Sequence, residues 1–166
     1  MIEVVTADIT VLNVAAVVNA ANSTLLGGSG VDGAIHRVAG PELLAHCELL
    51  GGCPVGEARI TPGFGLRAPW IIHTVGPIWQ GGSQGEADLL RACYTNAFDL
   101  AVAKNLSSIA FPGISTGVYG YPVEQASVLA LETMQRYSSQ IPRIVACCFS
   151  DRDTEVYEKL LSGSAI

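Results

Sequence analysis

The chain has 166 residues, 49% of them hydrophobic and only 14% charged, a composition that argues against disorder and predicts one domain with a large core. Its net charge of −6 includes only nine basic residues, which excludes a strong general attraction to nucleic-acid backbones and makes nucleic acid an unexpected main ligand. The sequence shows neither an apolar window long enough to span a membrane nor a secretory-type start, so we expect no membrane association and a cytoplasmic location.

The five cysteines are odd in number, contain no Cys-x-x-Cys pair and lie mostly in apolar runs. This pattern is typical of reduced thiols in a protein core. No cluster of ligand-type side chains has the spacing of a metal site, so we expect neither a metal nor a redox cofactor.

Apolar, β-branched runs between turn signals predict strands, and apolar residues at helical spacing predict helices. In chain order these patterns predict strands at 2–5 and 15–20, a helix at 31–50 broken at Gly40-Pro41, strands at 58–61 and 70–75, a helix at 86–104, a strand at 108–111, a helix at 123–137, a strand at 143–149 and a helix at 154–161.

The alternation of strands and helices predicts an α/β fold with three layers, an α/β/α sandwich. The strands are near-continuous apolar runs, as expected of strands covered on both faces, which favours a central mixed, largely parallel sheet. No composition break divides the chain, so we expect a single domain over 1–166, with a frayed tail at 162–166.

Two glycine-rich segments match known motifs, but the sequence around each segment does not fit the motif. Segment 28–33 fits the dinucleotide pattern G-x-G-x-x-G, but residues 21–27 separate it from the preceding strand and the next strand ends without a carboxylate. Segment 113–117 fits the nucleophile elbow G-x-S-x-G, but the three histidines, at 36, 46 and 73, all precede Ser115, whereas such a hydrolase places its histidine after the serine.

A shared interpretation of both glycine segments is that each joins a strand end to a helix and presents backbone N–H groups to an anion. Neighbouring parallel strands would bring the two segments to one ligand, a nucleotide-like molecule with phosphates. The alternative is that the glycines only make tight turns.

Four motifs together carry a family resemblance: ADIT at 7–10, NAANSTLLGGSGVDGAIH at 19–36, HTVGP at 73–77 and GISTGVYGYP at 113–122. With these segments the chain resembles the macrodomain family, and within it the ADP-ribosyl hydrolases that also deacetylate O-acetyl-ADP-ribose. The likeness spans residue 3 to about residue 161, with the motifs in the family's order.

The resemblance implies an adenine site at Asp8, whose carboxylate would accept from the 6-amino group beside the Ile9 backbone. It disfavours the alternative that Asp8 caps a helix or turn. Phe149, at the end of the last predicted strand, would stack on the adenine, and its alternative is an ordinary core aromatic.

The resemblance also implies two walls around the diphosphate. One is the loop whose N–H groups would point at the phosphates, formed by Ser115, Thr116, Gly117, Val118 and Tyr119. The other is segment 28–31, including Gly30 and Val31, where a helix N-terminus adds a favourable dipole. Tyr119 would in addition pack against the distal ribose.

Asn22 and Asp32 are the catalytic residues that the resemblance implies. Asn22 would donate to and accept from the distal ribose hydroxyls, and Asp32 would orient or deprotonate a water, unless it only satisfies N–H groups at a helix start. His36, four residues after Asp32, could hydrogen-bond to it or be an ordinary histidine. Asn19 would be structural, tying the strand to the following loop.

The function implied is binding of ADP-ribose and hydrolysis of esters at its distal ribose, both in O-acetyl-ADP-ribose and in mono-ADP-ribosyl groups on Asp or Glu of proteins. Its partners would therefore be an ADP-ribose-bearing small molecule or a mono-ADP-ribosylated protein. The main alternative is a non-catalytic ADP-ribose reader. RNA binding and hydrolysis of a 1″-phosphate stay open as lesser activities.

Overall fold

The computed structural model describes residues 1–163. This range contains six strands, five α-helices and one short 3₁₀ helix, Ile9–Val11. The strands are β1 (Ile2–Thr6), β2 (Ala16–Ala20), β3 (Ala58–Pro62), β4 (Trp70–Thr74), β5 (Ser108–Phe111) and β6 (Arg143–Cys148). The helices are α1 (Gly30–Ala39), α2 (Pro41–Leu50), α3 (Glu86–Ala103), α4 (Val123–Tyr137) and α5 (Asp151–Gly163).

In the described part of the chain the strands form one sheet in the order β1-β6-β5-β2-β4-β3. Its neighbouring strands pair in parallel apart from β3 and β4, which are antiparallel. The predicted mixed, largely parallel sheet is thus confirmed. The parallel strands that end near the two glycine segments, β2 and β5, lie side by side.

An apolar cluster covers each face of the sheet, which confirms the predicted three layers. One cluster packs α3, α4 and α5 on the sheet and contains Leu90, Phe98 and Leu131. The other packs α1 and α2 on the opposite face and contains Ile35 and Leu43. Burial of apolar area on both faces explains why the strands are apolar throughout rather than alternating.

The predicted element bounds hold within a few residues, with the break at Gly40 confirmed. Gly40 has φ 92°, a backbone conformation that side chains disfavour, and Pro41 opens the next helix. Helix α5 starts at Asp151, earlier than predicted, where the Ser150 hydroxyl accepts from the Asp153 N–H at 3.2 Å. It runs to Gly163, so residues 162 and 163 of the expected frayed tail are helical, and 164–166 lie outside the described residues.

The five cysteines are buried and form no disulfide within residues 1–163, as predicted for core thiols. In the same range no helix has the length and apolar character needed to cross a membrane.

Candidate functional site

A cleft of about 860 Å³ lies at the carboxyl edge of the sheet, where the loops after β1, β2, β5 and β6 meet. Parallel strands end at the same edge, so the loops that follow them converge there. Its lining includes seven of the predicted site residues: Asp8, Ile9, Gly30, Val31, Thr116, Gly117 and Phe149.

Asp8 is both a cleft residue and a helix cap. Its Oδ1 accepts from the Thr10 hydroxyl at 2.7 Å and from the Thr10 N–H at 3.0 Å, at the start of the 3₁₀ helix. These hydrogen bonds lower the pKa of Asp8. The expectation that Asp8 is not a cap is wrong, because the 3₁₀ helix that it caps has no periodic signal in the sequence. The cap fixes the Asp8 carboxylate at the cleft through Oδ1. The other carboxylate oxygen, Oδ2, is the second hydrogen-bond acceptor of this side chain.

Phe149 follows β6 directly and is 90% exposed, with its side chain on the cleft lining. The core alternative for Phe149 is therefore excluded. A ring in this position offers a free π-face to a planar ligand.

The segment 112–122 forms the loop between β5 and α4. Thr116 and Gly117 line the cleft, while the neighbouring Val118 is 96% exposed and Tyr119 is half-buried outside the lining. The Gly120 N–H donates to the Gly117 carbonyl at 3.0 Å, and the Tyr119 carbonyl accepts from the Trp79 N–H at 2.9 Å. These bonds hold the loop in a tight turn.

Ser115 sits at the base of this loop with φ 66°, a left-handed conformation that is strained for serine. Its side chain is buried, and its Oγ has no hydrogen-bond partner in the described residues. A Cβ on Gly76 would lie 2.1 Å from that Oγ, so only glycine at position 76 leaves room for it. The Ser115 side chain is thus buried against Gly76 and is not on the cleft lining.

The start of α1 forms the facing wall. Gly30 has φ 61°, and the helix begins there, one residue before the predicted Val31. Gly33 packs against the preceding loop so closely that a Cβ would lie 2.4 Å from the Gly28 carbonyl oxygen. The glycines therefore allow the N-terminus of α1 to face the cleft.

Asn22, Gly28 and Asp32 converge beside this wall. A Cβ on Gly28 would lie 3.1 Å from Asp32 Oδ2 and 3.4 Å from Asn22 Nδ2, so the two predicted catalytic side chains face the same glycine. Asn22 Nδ2 donates to the Gly27 carbonyl at 2.8 Å, and its Oδ1 accepts from both the N–H and the hydroxyl of Thr24. Because Oδ1 is already engaged, the second Nδ2 proton is what Asn22 offers a ligand.

Asp32 is only 5% exposed, and its Oδ1 accepts from Asn19 Nδ2 at 2.9 Å. Asn19 thus ties β2 to α1 rather than to the loop. His36 Nε2 lies 3.5 Å from Asp32 Oδ1, an ion-pair distance, although within the described residues this nitrogen makes no hydrogen bond. The prediction that His36 lies beside Asp32 is confirmed. In the structure of residues 1–163 the two side chains are not hydrogen-bonded to each other.

Sequence reasoning missed two features of this region. Arg37, on α1, contributes a cationic side chain to the cleft lining. His73, fully buried on β4, contacts Asn19. The signal for His73 was its place in the motif HTVGP, in line with Asn19 on the neighbouring strand.

Among residues 1–163, no group of His, Cys, Asp and Glu side chains has the arrangement of a metal site.

A model of the Macro domain family matches residues 18–130. A macro domain-containing protein of Chlorobaculum tepidum is 56% identical over 166 residues, which cover 98% of this chain and 96% of that protein. The chain belongs to the macro domain family. A relative named O-acetyl-ADP-ribose deacetylase, from Klebsiella pneumoniae, is 49% identical over 168 residues, covering 97% of this macro domain and 96% of its own length.

Solved structures of the Oceanobacillus iheyensis macrodomain match this macro domain closely. The structure of a variant of that protein with ADP-ribose has a TM-score of 0.93 and 46% identity, covering 98% of this chain and 92% of that one. Another contains ADP. In two further structures of that protein one residue is replaced by alanine, an aspartate in one structure and an asparagine in the other. The two positions are ten residues apart, which is the spacing of Asn22 and Asp32 in this macro domain.

Proposed function

We propose that this macro domain binds ADP-ribose in the cleft and hydrolyses esters at its distal ribose, as O-acetyl-ADP-ribose or as mono-ADP-ribose on Asp or Glu of a protein. The observation that carries the proposal is the convergence of Asn22 and Asp32 on Gly28 beside the start of α1. A carboxylate and an amide at this point have the chemistry needed to hold a ribose and a water.

The binding half of the proposal follows the lining of the cleft. Asp8 and Phe149 take the adenine at one end, and the diphosphate lies between the Thr116-Gly117 loop and the start of α1. Backbone N–H groups and the helix dipole stabilise the phosphates there. The cleft volume of about 860 Å³ lies in the usual range for small-molecule sites. Structures of the Oceanobacillus relative with ADP-ribose and with ADP support this ligand class.

The hydrolytic half assigns the reaction to Asp32. Asn19 holds its Oδ1, so Oδ2, which faces Gly28, is the oxygen that orients the attacking water and takes its proton. Addition of water across the ester C–O bond releases a carboxylic acid and restores the ribose hydroxyl. The remaining Nδ2 proton of Asn22 fixes the distal ribose, and the substrate's own phosphate assists in positioning the water.

The direct test is Asp32→Ala, assayed for release of ADP-ribose from an auto-modified, Glu-linked protein. We expect turnover to be abolished while the Kd for ADP-ribose, measured by calorimetry, changes by only about a few fold, since the proposed role of Asp32 is to act on the water and not to hold the adenine or the diphosphate. Asp88→Ala on the exposed side of α3 is the matched control and should retain full activity. Unchanged release by the Asp32 variant would remove this residue from the mechanism.

The same assay distinguishes hydrolysis from reading. Tight binding of ADP-ribose with no release of label by the unmodified protein would identify a non-catalytic reader of ADP-ribosylated partners. Calorimetry of ADP-ribose against ADP, AMP and NAD tests the ligand itself. A failure to prefer ADP-ribose would overturn the binding half of the proposal.

A further inference from the structure

His73 is fully buried on β4, between β2 and β3, and belongs to a motif that the proposed function does not use. In the parallel register of β2 and β4 it pairs with Asn19, so the two side chains share one face of the sheet. Its ring nitrogens contact one neighbour each: Nδ1 lies 3.2 Å from Asn19 Nδ2, and Nε2 lies 2.9 Å from the Thr61 hydroxyl.

The direction of these hydrogen bonds follows from Asp32. A carboxylate oxygen only accepts, so Asn19 must point its Nδ2 toward Asp32 Oδ1, which lies 2.9 Å away. The same Nδ2 faces His73 Nδ1, and an amide nitrogen only donates. His73 Nδ1 is therefore unprotonated.

The other ring nitrogen completes the chain. A neutral histidine without a proton on Nδ1 carries it on Nε2, and so Nε2 donates to the Thr61 hydroxyl. That hydroxyl in turn donates to the Pro62 carbonyl at 3.1 Å. Burial, with the charges of His36 and His46, lowers the pKa of His73 to about 3, which keeps the ring neutral at ordinary pH.

Given the proposed function of Asp32, we propose that His73 is a positioning residue for the reaction. Its unprotonated Nδ1 fixes the Asn19 amide, and the amide fixes the Asp32 carboxylate. Both Nδ2 protons are committed, one to each partner, so the amide cannot turn without losing both bonds. A proton on Nδ1 would oppose the amide protons and release Asp32 from this orientation.

Spectroscopy of the unmodified protein tests the hydrogen-bond direction without requiring turnover. With ¹⁵N-labelled histidine at neutral pH, we expect His73 to show a protonated Nε2 and an unprotonated Nδ1. The His73 resonances are assigned by their loss in His73→Asn. A proton on Nδ1, in either the neutral or the charged ring, would overturn the proposal.

Two variants of His73 test the effect on the reaction. Asparagine places an amide oxygen close to the position of Nδ1, whereas glutamine reaches the position of Nε2 and leaves Asn19 without its acceptor. We expect His73→Gln to lower kcat by on the order of 10–100-fold, with the Kd for ADP-ribose changed by less than about twofold. His73→Asn should restore most of kcat. Glu48→Gln, at an exposed position of α2 and outside the hydrogen-bond chain, is the control and should match the unmodified protein.

Equal losses of kcat in both His73 variants, or a loss of affinity that matches the loss of kcat, would show that His73 only supports the fold and would overturn the proposal. If His73→Gln does not fold, the tautomer of the unmodified protein still decides it. An unmodified protein that binds ADP-ribose without hydrolysing an ester would overturn the proposed function. The tautomer measurement does not involve turnover, so the two failures are distinguishable.

Discussion

Phe149 lies at the boundary between the core and the cleft. The five residues before it, at 144–148, are at most 5% exposed, whereas Phe149 itself is 90% exposed. An exposed aromatic ring adds nothing to core packing, and binding of the adenine is the role that we propose for it. The apolar sequence of the strand does not mark this change, because burial depends on what packs against each residue.

Phe149→Ala should weaken binding of ADP-ribose by about 1–3 kcal/mol, roughly a 5- to 150-fold rise in Kd, because stacking on the base is lost. The melting temperature should stay the same, since the ring is exposed. Calorimetry and a thermal melt check the two halves. Phe149→Tyr keeps the ring and should bind normally, and an unchanged Kd in the alanine variant would place the adenine elsewhere.

At the scale of elements, α1 depends on its contact with the loop before it. Gly33 lies against the Gly28 carbonyl, and the same loop carries Gly28 toward Asn22 and Asp32. The glycine in the helix is unfavourable for helix formation, and here it permits the close approach that brings the wall and the carboxylate together.

Gly33→Ala should lower the free energy of unfolding by about 1–3 kcal/mol, because its Cβ would overlap a backbone oxygen that cannot turn aside. The Kd for ADP-ribose should rise as well, since the wall moves. Urea unfolding and calorimetry provide the measurements. Val38→Ala, at a 45% exposed position of the same helix, is the control; a similar small effect in both variants would argue against the close contact.

Helix α3 begins with a buried carboxylate that organises the preceding loop. Glu86 is 1% exposed and accepts from the backbone N–H groups of Gln80, Gly82 and Gln84 at 2.6–2.9 Å. Burial alone would raise its pKa, but the backbone donors outweigh burial and lower the pKa from 4.5 to about 2. Loop 80–84 is therefore held to the start of α3 by hydrogen bonds from its backbone N–H groups to the ionised Glu86 carboxylate.

Glu86→Gln should lower the melting temperature at pH 7, because an amide oxygen is a weaker acceptor and its NH₂ group faces other donors. The folded-state pKa is depressed, so the stabilisation is complete above about pH 4.5 and is lost as the pH falls toward 2. The difference between variant and unmodified protein should accordingly shrink at pH 3. Asp88→Asn, exposed in the same helical turn, is the control; a difference that is constant with pH would contradict this assignment.

On the scale of the whole molecule, aromatic packing joins the helices to the sheet on the face opposite α1. The ring of Phe98 is buried, and its centroid lies 4.8 Å from the ring centroid of Phe111 on β5. The same centroid lies 4.6 Å from that of Tyr137 at the end of α4. The contact links three consecutive elements of the chain, α3, β5 and α4. Stability of the sheet that carries the cleft thus depends on residues that do not touch a ligand.

Phe98→Ala should lower the free energy of unfolding by about 3–5 kcal/mol, since it removes a fully buried ring and leaves a cavity. The fraction that stays folded should bind ADP-ribose with unchanged affinity. Urea unfolding followed by calorimetry tests both statements. Leu49→Ala, at an 86% exposed position of α2, should change stability by less than about 0.5 kcal/mol, and equal effects of the two changes would contradict the placement of the core.

The sequence alone determined most elements of this protein and the two glycine segments that contribute to the cleft lining. Apolar periodicity and glycine or proline signals are local, so they located each strand and α-helix, including the break at Gly40, and the two glycine segments. The resemblance assigned roles to Asn22 and Asp32 that remain predictions.

Only the tertiary structure decided which side chains meet. Strand order brings Asn19 beside His73, 54 positions later, and helix α1 brings Asp32 to Asn19. The cap at Asp8 and the carboxylate of Glu86 likewise depend on loop conformations that carry no periodic signal. These contacts are set by strand pairing and burial across the whole chain, which no local pattern specifies.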